Sequence, residues 1–252
     1  MKFDDLDARL RVFETAHDHC ALPGLFLVAR LDGRNFTRLT KEVHQFEAPF
    51  DVRFRDLMAE TVRHLMQCGF RISYGYCESD EISLLLDPAE DSFGRKLRKY
   101  QSILAGEASA KFSLALGHLG VFDCRISQLP RISDVTDYFR WRAEDALRNA
   151  LNAHCYWKLR AEGQHKVTAT KQVSGLSTAD KHELLFQRGL NFNDLPAWQK
   201  RGFGVYWRQA EREGFNPLTQ QTTRTQRREL FTDFELPVRE AYTQFVQDFL
   251  SE

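Results

Sequence analysis

The strongest constraint in this chain is a short apolar run that stops on a carboxylate. Leu25-Phe26-Leu27-Val28-Ala29-Arg30-Leu31-Asp32 is too short for a helix, and it halts at Asp32-Gly33, where glycine permits a turn. A strand ending in Asp32 is expected. Residues 51–68 form an amphipathic helical pattern. Residues 70–76 and 81–86 then read as two strands around Cys77-Glu78-Ser79-Asp80, a hairpin with acids at its turn. A helical pattern over 92–116 and a strand-like run over 121–129 complete β-α-β-β-α-β, the ferredoxin-like split motif. In that topology the first and third strands are antiparallel neighbours about 4.8 Å apart. Asp32 and Asp80 should then face each other where one strand ends and the other starts. Two carboxylates so placed repel unless a proton or a cation lies between them, and hard divalent ions such as magnesium suit oxygen ligands. Side chains alternate along a strand, so Asp80 and Glu81 should not both point at one ion.

The residues around this pair supply candidate phosphate contacts. Gly33-Arg34-Asn35-Phe36-Thr37 is a polar loop directly after Asp32, where successive backbone N–H groups can wrap a phosphate; the alternative is an ordinary turn. Arg95 and Lys99 lie four apart on the helix after the hairpin and so share a side that can be aimed at triphosphate oxygens; the alternative is a solvated charged face. Arg125 in Phe122-Asp123-Cys124-Arg125 is a further phosphate candidate on the last strand of the motif.

The remaining chain extends this core. Residues 2–20 read as an amphipathic helix with Phe3, Leu6, Leu10 and Phe13 on one stripe, expected to cover a face of the sheet. From Ser133 a long helical pattern carries an aromatic stripe, Tyr138, Phe139, Trp141, Tyr156 and Trp157, expected in the core, with Arg140, Arg142 and Arg148 on its polar side. Residues 163–178 read as a mobile loop, 177–188 as a short helix, 196–202 as a turn and 203–207 as a strand. A polar stretch over 222–228 should separate that strand from 230–236, before a helix over 238–250. The chain is expected to be one palm-like domain over 1–252, with a core at 1–132 and a helical and strand extension at 133–252.

Bulk properties narrow the class. The 252 residues suffice for a sizeable core, and 35 basic against 35 acidic residues argue against a protein that coats nucleic acid indiscriminately. Five scattered cysteines without a C-x-x-C pair read as reduced thiols in a cytoplasmic protein. No apolar run approaches the length of a membrane span, so no membrane partner is expected.

Arg30-Leu31-Asp32-Gly33-Arg34-Asn35-Phe36, Gly75-Tyr76-Cys77-Glu78-Ser79-Asp80-Glu81 and Phe122-Asp123-Cys124-Arg125 resemble successive motifs of the tRNA(His) guanylyltransferase superfamily. Trp141-Arg142, Tyr156-Trp157 and Ala179-Asp180-Lys181-His182-Glu183-Leu184-Leu185-Phe186 extend the match. The resemblance implies an α+β fold with a polymerase-like palm that adds nucleotides to the 5′ end of tRNA in the 3′–5′ direction. It further implies two magnesium ions held by Asp32, Asp80 and the Gly33 carbonyl. The 32–37 loop with Ser79 and Asp80 would hold a GTP, ATP or other NTP substrate, Arg95 and Lys99 would meet phosphates, Glu81 would be needed for activity, and the assembly would be a homotetramer. The His-Ile-Asn-x-x-Tyr-Asn stretch of strict tRNA(His) enzymes is replaced by Leu147-Arg148-Asn149-Ala150-Leu151-Asn152-Ala153, which resembles instead the branch associated with template-dependent repair of shortened 5′ ends. The family's lysine before Pro49 is Ala48 here. Two other readings share these residues: a nucleotidyl cyclase built on the same palm, and a non-catalytic tRNA-binding module.

Overall fold

The structure, a computed structural model, describes residues 2–216 and 221–250, and the side chains of those residues outside 212–224. Helix α1 (Phe3–Thr15) leads to strand β1 (Phe26–Gly33). A short helix α2 (Phe36–Arg38) runs on as a π turn (Leu39–Val43) and is followed by α3 (Val52–Leu65), the hairpin β2 (Ile72–Glu78) and β3 (Glu81–Leu86), α4 (Leu97–Leu116) and β4 (Phe122–Leu129). The extension comprises α5 (Ile132–Ala161), α6 (Lys166–Ser174), α7 (Thr178–Phe186), α8 (Ala197–Arg201), the hairpin β5 (Phe203–Asn216) and β6 (Gln221–Asp233), and α9 (Glu240–Asp248). The sheet order is β4-β1-β3-β2-β5-β6, with every pairing antiparallel. The first four strands are those expected from the sequence, with β1 and β3 adjacent at the centre.

Each face of the sheet is closed by apolar side chains at alternate strand positions. Leu27, Ala29, Leu31, Ile82 and Leu84 pack under α3 and α4 through Met58, Val62, Leu65, Leu104, Ala108 and Phe112. Val28, Tyr74, Tyr76 and Leu85 face α5 and α9 through Val135, Phe139, Tyr242 and Val246. Helix α3 begins where the Asp51 carboxylate accepts the Arg53 N–H at 2.7 Å, satisfying a donor the helix cannot pair internally. It lies so close on β2 that a Cβ at Gly75 would stand 2.7 Å from Val62 Cγ1. A third cluster joins the second half of α5 to α6 and α7 through Leu151, Cys155, Leu159, Val173 and Leu185. Among the described residues no helix is long and apolar enough to cross a membrane.

Several expectations need correction. Helix α1 buries none of its residues, because α3 and α4 already fill one face of the sheet and α5 and α9 the other. Residues 166–174 are helix rather than loop, since Ala169 and Val173 give α6 an apolar contact with α5. Residues 222–228 belong to β6, which pairs with β5 along its whole length. Trp141 stands exposed while Arg142 is buried, which reverses the assignment of Arg142 to the polar side of the long helix.

Candidate active site

The acid pair forms at the central strands, one register step from the expected geometry. Asp32 lies opposite Glu81 on β3 and opposite Asp123 on β4. Asp80 sits one residue earlier, in the turn, where its carbonyl accepts the Gly33 N–H at 3.1 Å. The turn is tight: Ser79 is left-handed at φ 49°, and its hydroxyl donates to the Asp80 carboxylate at 3.1 Å. Burial, with the charges of Asp32 and Glu81 adding to it, pushes the Asp80 carboxyl up to about 6. Arg125 approaches Asp32 only at 3.8 Å, with both side chains about half exposed, so no buried arginine neutralises the pair.

This donor set fits a magnesium ion, which takes one or two protein carboxylates and completes its shell with water and phosphate. Among the described residues no cluster of three or more His, Cys, Asp or Glu forms a protein-only metal cage. Asp32 and Asp80 are the carboxylates that could hold the ion, and the Gly33 carbonyl is the further ligand the resemblance implies.

Gly33 is required for packing reasons. A Cβ there would stand 2.6 Å from the Phe36 ring, which is buried against Phe54, Phe112 and Phe122. Phe36 therefore anchors the loop in the core while also lining the smaller of the two pockets at Asp80. Arg34 differs from expectation in its backbone, whose N–H is spent on the Val121 carbonyl at 2.8 Å. The N–H groups of Phe36 and Thr37 at the start of α2 have no acceptor within the helix, and Arg34, Asn35 and Thr37 have exposed side chains.

Two pockets meet at Asp80. One of about 140 Å³ is lined by Thr37, Thr40, Lys41, Phe46, Phe50, Phe54, Ser79, Asp80 and Trp198; the other, of about 380 Å³, by Asp32, Ser79, Asp80, Glu81, Arg142 and Asn149. Ser79, Asp80, Pro49, Phe50, Trp198 and Gly202 belong to both. Lys41 in the first is held below its ordinary lysine range by burial, and its Nζ donates to the carbonyls of Glu47 and Pro49 at 3.2 and 3.4 Å. A cation therefore reaches the loop at Ala48, where the resembling family carries a lysine.

Arg95 and Lys99 are not at this site within one chain. Arg95 Nη2 donates to the carbonyl of Leu25, at the start of β1, while Asp32 lies near its end. At roughly 3.3 Å per residue the seven intervening steps put them more than 20 Å apart. Lys99, on the first turn of α4, stands over the Phe93 ring, whereas Arg95 precedes α4 in a 3₁₀ turn at φ 58°, so the two do not share one helix face as expected. Their distance from the acids is topological: α4 leaves the far end of β3 and climbs back to β4, so its C-terminus is the end near the acids. Arg125, by contrast, lies 3.8 Å from Asp32.

Glu81 points towards α5. Arg142 holds it from two nitrogens, Nε at 2.6 Å and Nη2 at 3.0 Å, and Arg30 approaches at 3.7 Å, so its carboxylate is already engaged. Arg142 also bonds Glu78 and Asp145, and burial with the Glu81 charge beside it pushes the Glu78 carboxyl up to about 8. Sequence reading missed this cluster. Its signal was Arg142 falling in step with Tyr138, Phe139 and Ala146 on the buried stripe of α5, where an arginine needs partners.

Known proteins are similar to this chain in sequence and fold. The family model described as "tRNAHis guanylyltransferase" matches residues 7–130, and "Thg1 C terminal domain" matches 133–243. A probable tRNA(His) guanylyltransferase of Drosophila melanogaster is 32% identical over 195 residues, which cover 73% of this chain and 68% of that protein. A solved bacterial tRNA(His) guanylyltransferase (Thg1)-like protein in complex with GTP superposes with a TM-score of 0.78 at 27% identity, covering 99% of this chain and 100% of that one. A second such structure, in complex with ATP, gives 0.78 at 26% identity, covering 97% and 98%.

Proposed function

From the premise that this chain belongs to the tRNAHis guanylyltransferase family, and is a nucleotidyltransferase that adds nucleotides to the tRNA 5′ end in the 3′–5′ direction, we infer that Asp32 and Asp80 carry the reaction. The observation behind this reading is geometric: Asp32 near the end of β1 lies opposite the β3 residue that follows Asp80, the Asp80 carbonyl accepts the Gly33 N–H, and Asp80 stands at the junction of two pockets. Asp32 and Asp80 would hold two magnesium ions. When bound, these would neutralise phosphate charge and lower the pKa of the attacking hydroxyl. One pocket suits an incoming GTP, ATP or other NTP, with Phe46, Phe50, Phe54 and Trp198 as apolar walls for a base and Thr37 and Lys41 near its phosphates. The other leaves room beside Asp32 for the activated 5′ phosphate of the tRNA. The oxygen of the nucleotide's 3′-hydroxyl bonds to that phosphorus as the bond to pyrophosphate or AMP breaks, and the hydroxyl proton leaves to solvent.

Repair of shortened 5′ ends is the preferred form of the reaction, because Leu147–Ala153 retains only Asn149 of the stretch that strict tRNA(His) enzymes carry. A cleft beyond α5 lined by Arg140, Arg148, Lys181, Lys200, Arg201 and Arg239, with Glu144 its single acid among the described lining residues, suits RNA phosphates. A homotetramer accords with the exposed Phe3, Leu10 and Phe13 of α1. The test is to offer a tRNA lacking its first 5′ nucleotide with each NTP in turn and to read the product's 5′ sequence. Restoration of the paired nucleotide supports repair, G regardless of the opposing base indicates guanylyl addition, and cyclic product from GTP alone would overturn the reading.

A further inference from the structure

Glu78 and Glu81 form the last register pair of the β2–β3 hairpin and flank the Ser79-Asp80 turn. Like charges directly opposite each other drive strands apart unless a cation joins them. Here the cation comes from α5. Arg142 Nη2 donates to Glu78 Oε1 at 2.8 Å and to Glu81 Oε2 at 3.0 Å, while its Nε donates to Glu81 Oε1 at 2.6 Å. The same Nη2 reaches Asp145 at 3.3 Å, and the Trp141 ring lies 4.7 Å from the guanidinium carbon. Arg142 is only 6% exposed, and it borders the larger pocket beside Asp32, Asp80 and Glu81. Glu81 is also the register partner of Asp32, and the Asp80 carbonyl accepts the Gly33 N–H. One planar fork from α5 thus ties both ends of the turn that carries Asp80, and one of those ends, Glu81, is the residue opposite Asp32.

We propose that Arg142 is a positioning residue for the acid pair: by tying Glu78 and Glu81 to α5 it fixes where Asp80 stands relative to Asp32, and so how tightly the two aspartates grip a divalent cation. This rests on the reading of Asp32 and Asp80 as the metal ligands. Lysine cannot replace the fork, because an ammonium is a point charge that does not bridge two carboxylates in a set geometry.

The test measures Mn²⁺ binding by electron paramagnetic resonance, with a non-hydrolysable GTP analogue present, alongside thermal melting. Arg142→Lys and Glu78→Leu are expected to weaken Mn²⁺ binding by about 10-fold or more, the scale of groups that orient metal ligands. Glu78→Gln, which keeps an acceptor for Arg142, should weaken it less than Glu78→Leu. The magnesium concentration for half-maximal nucleotide addition should rise in the same order. Folded Arg142→Lys and Glu78→Leu proteins that bind Mn²⁺ as the wild type does, with only the melting temperature lowered, would overturn the proposal. Should Arg142→Lys not fold, Glu78→Leu decides alone, since Arg142 keeps Glu81 and Asp145 as partners when Glu78 is removed and so is not left unpaired. A wild-type protein that binds no Mn²⁺ would remove the metal reading itself, whereas wild-type binding with unshifted variants removes only the role of Arg142.

Discussion

Gly33 shows how one residue ties the core to the chemistry. Its missing side chain lets the Phe36 ring close over the end of β1, and its N–H holds the turn that presents Asp80. Gly33→Ala forces a Cβ to within 2.6 Å of that ring, so we expect a loss of about 1–3 kcal/mol in urea unfolding, as for other overpacked cores, together with slower nucleotide addition. Unchanged stability would show that the ring moves aside freely. Asp32, Gly33 and Asp80 were legible in the sequence because a strand end and a hairpin turn are local signals, and the order of elements brings them together. Arg95 and Lys99 were misplaced although the same order contained the answer: in a split βαβ unit the helix after β3 starts at the end of the sheet away from the β2–β3 turn. Burial of Phe36 was not legible, since its partners Phe54, Phe112 and Phe122 come from three other elements.

At the scale of elements, α5 is the part that couples the extension to the palm. Its first half closes the sheet and delivers Arg142; its second half carries His154, which packs on Phe50, a residue of both pockets. Burial lowers the His154 imidazole from 6.5 to about 4. A histidine kept neutral in the fold but protonated in the unfolded chain gives stability that is complete above the unfolded value and is lost as pH falls. Over the window from 6.5 to about 4 that loss amounts to roughly 3 kcal/mol, and His154→Leu should abolish this part of the acid sensitivity in denaturant titrations at several pH values. An identical pH slope in the variant would count against it. Helix α7 offers a smaller test: the Ser177 hydroxyl caps the Asp180 N–H while the Asp180 carboxylate returns to the Ser177 N–H, so Ser177→Ala should cost about 1 kcal/mol in thermal or chemical unfolding. The least legible part of the sheet was the far half of the β5–β6 hairpin, the end of β5 and the start of β6. These segments are not paired with the rest of the sheet, and Thr225 to Arg228 are all exposed, so no buried face imposes alternation there and the polar composition reads as a loop.

The molecule as a whole places two pockets on either side of one turn and a basic cleft beyond the helix that braces it. A chain with balanced charge can still bind RNA when its cations are gathered in one groove. Binding of tRNA should therefore weaken as salt rises, and a Lys181→Ala, Arg239→Ala double variant should flatten the plot of log affinity against log salt by about 1 to 2 charges; an unchanged slope would place the RNA elsewhere. The central claim is that Asp32 and Asp80 jointly carry the transfer. It is tested most directly by measuring single-turnover nucleotide addition to a 5′-truncated tRNA by the wild type, Asp32→Ala and Asp80→Ala proteins under saturating magnesium. We expect both variants to fold and bind tRNA while losing activity by at least about 100-fold; full activity in either would contradict the assignment.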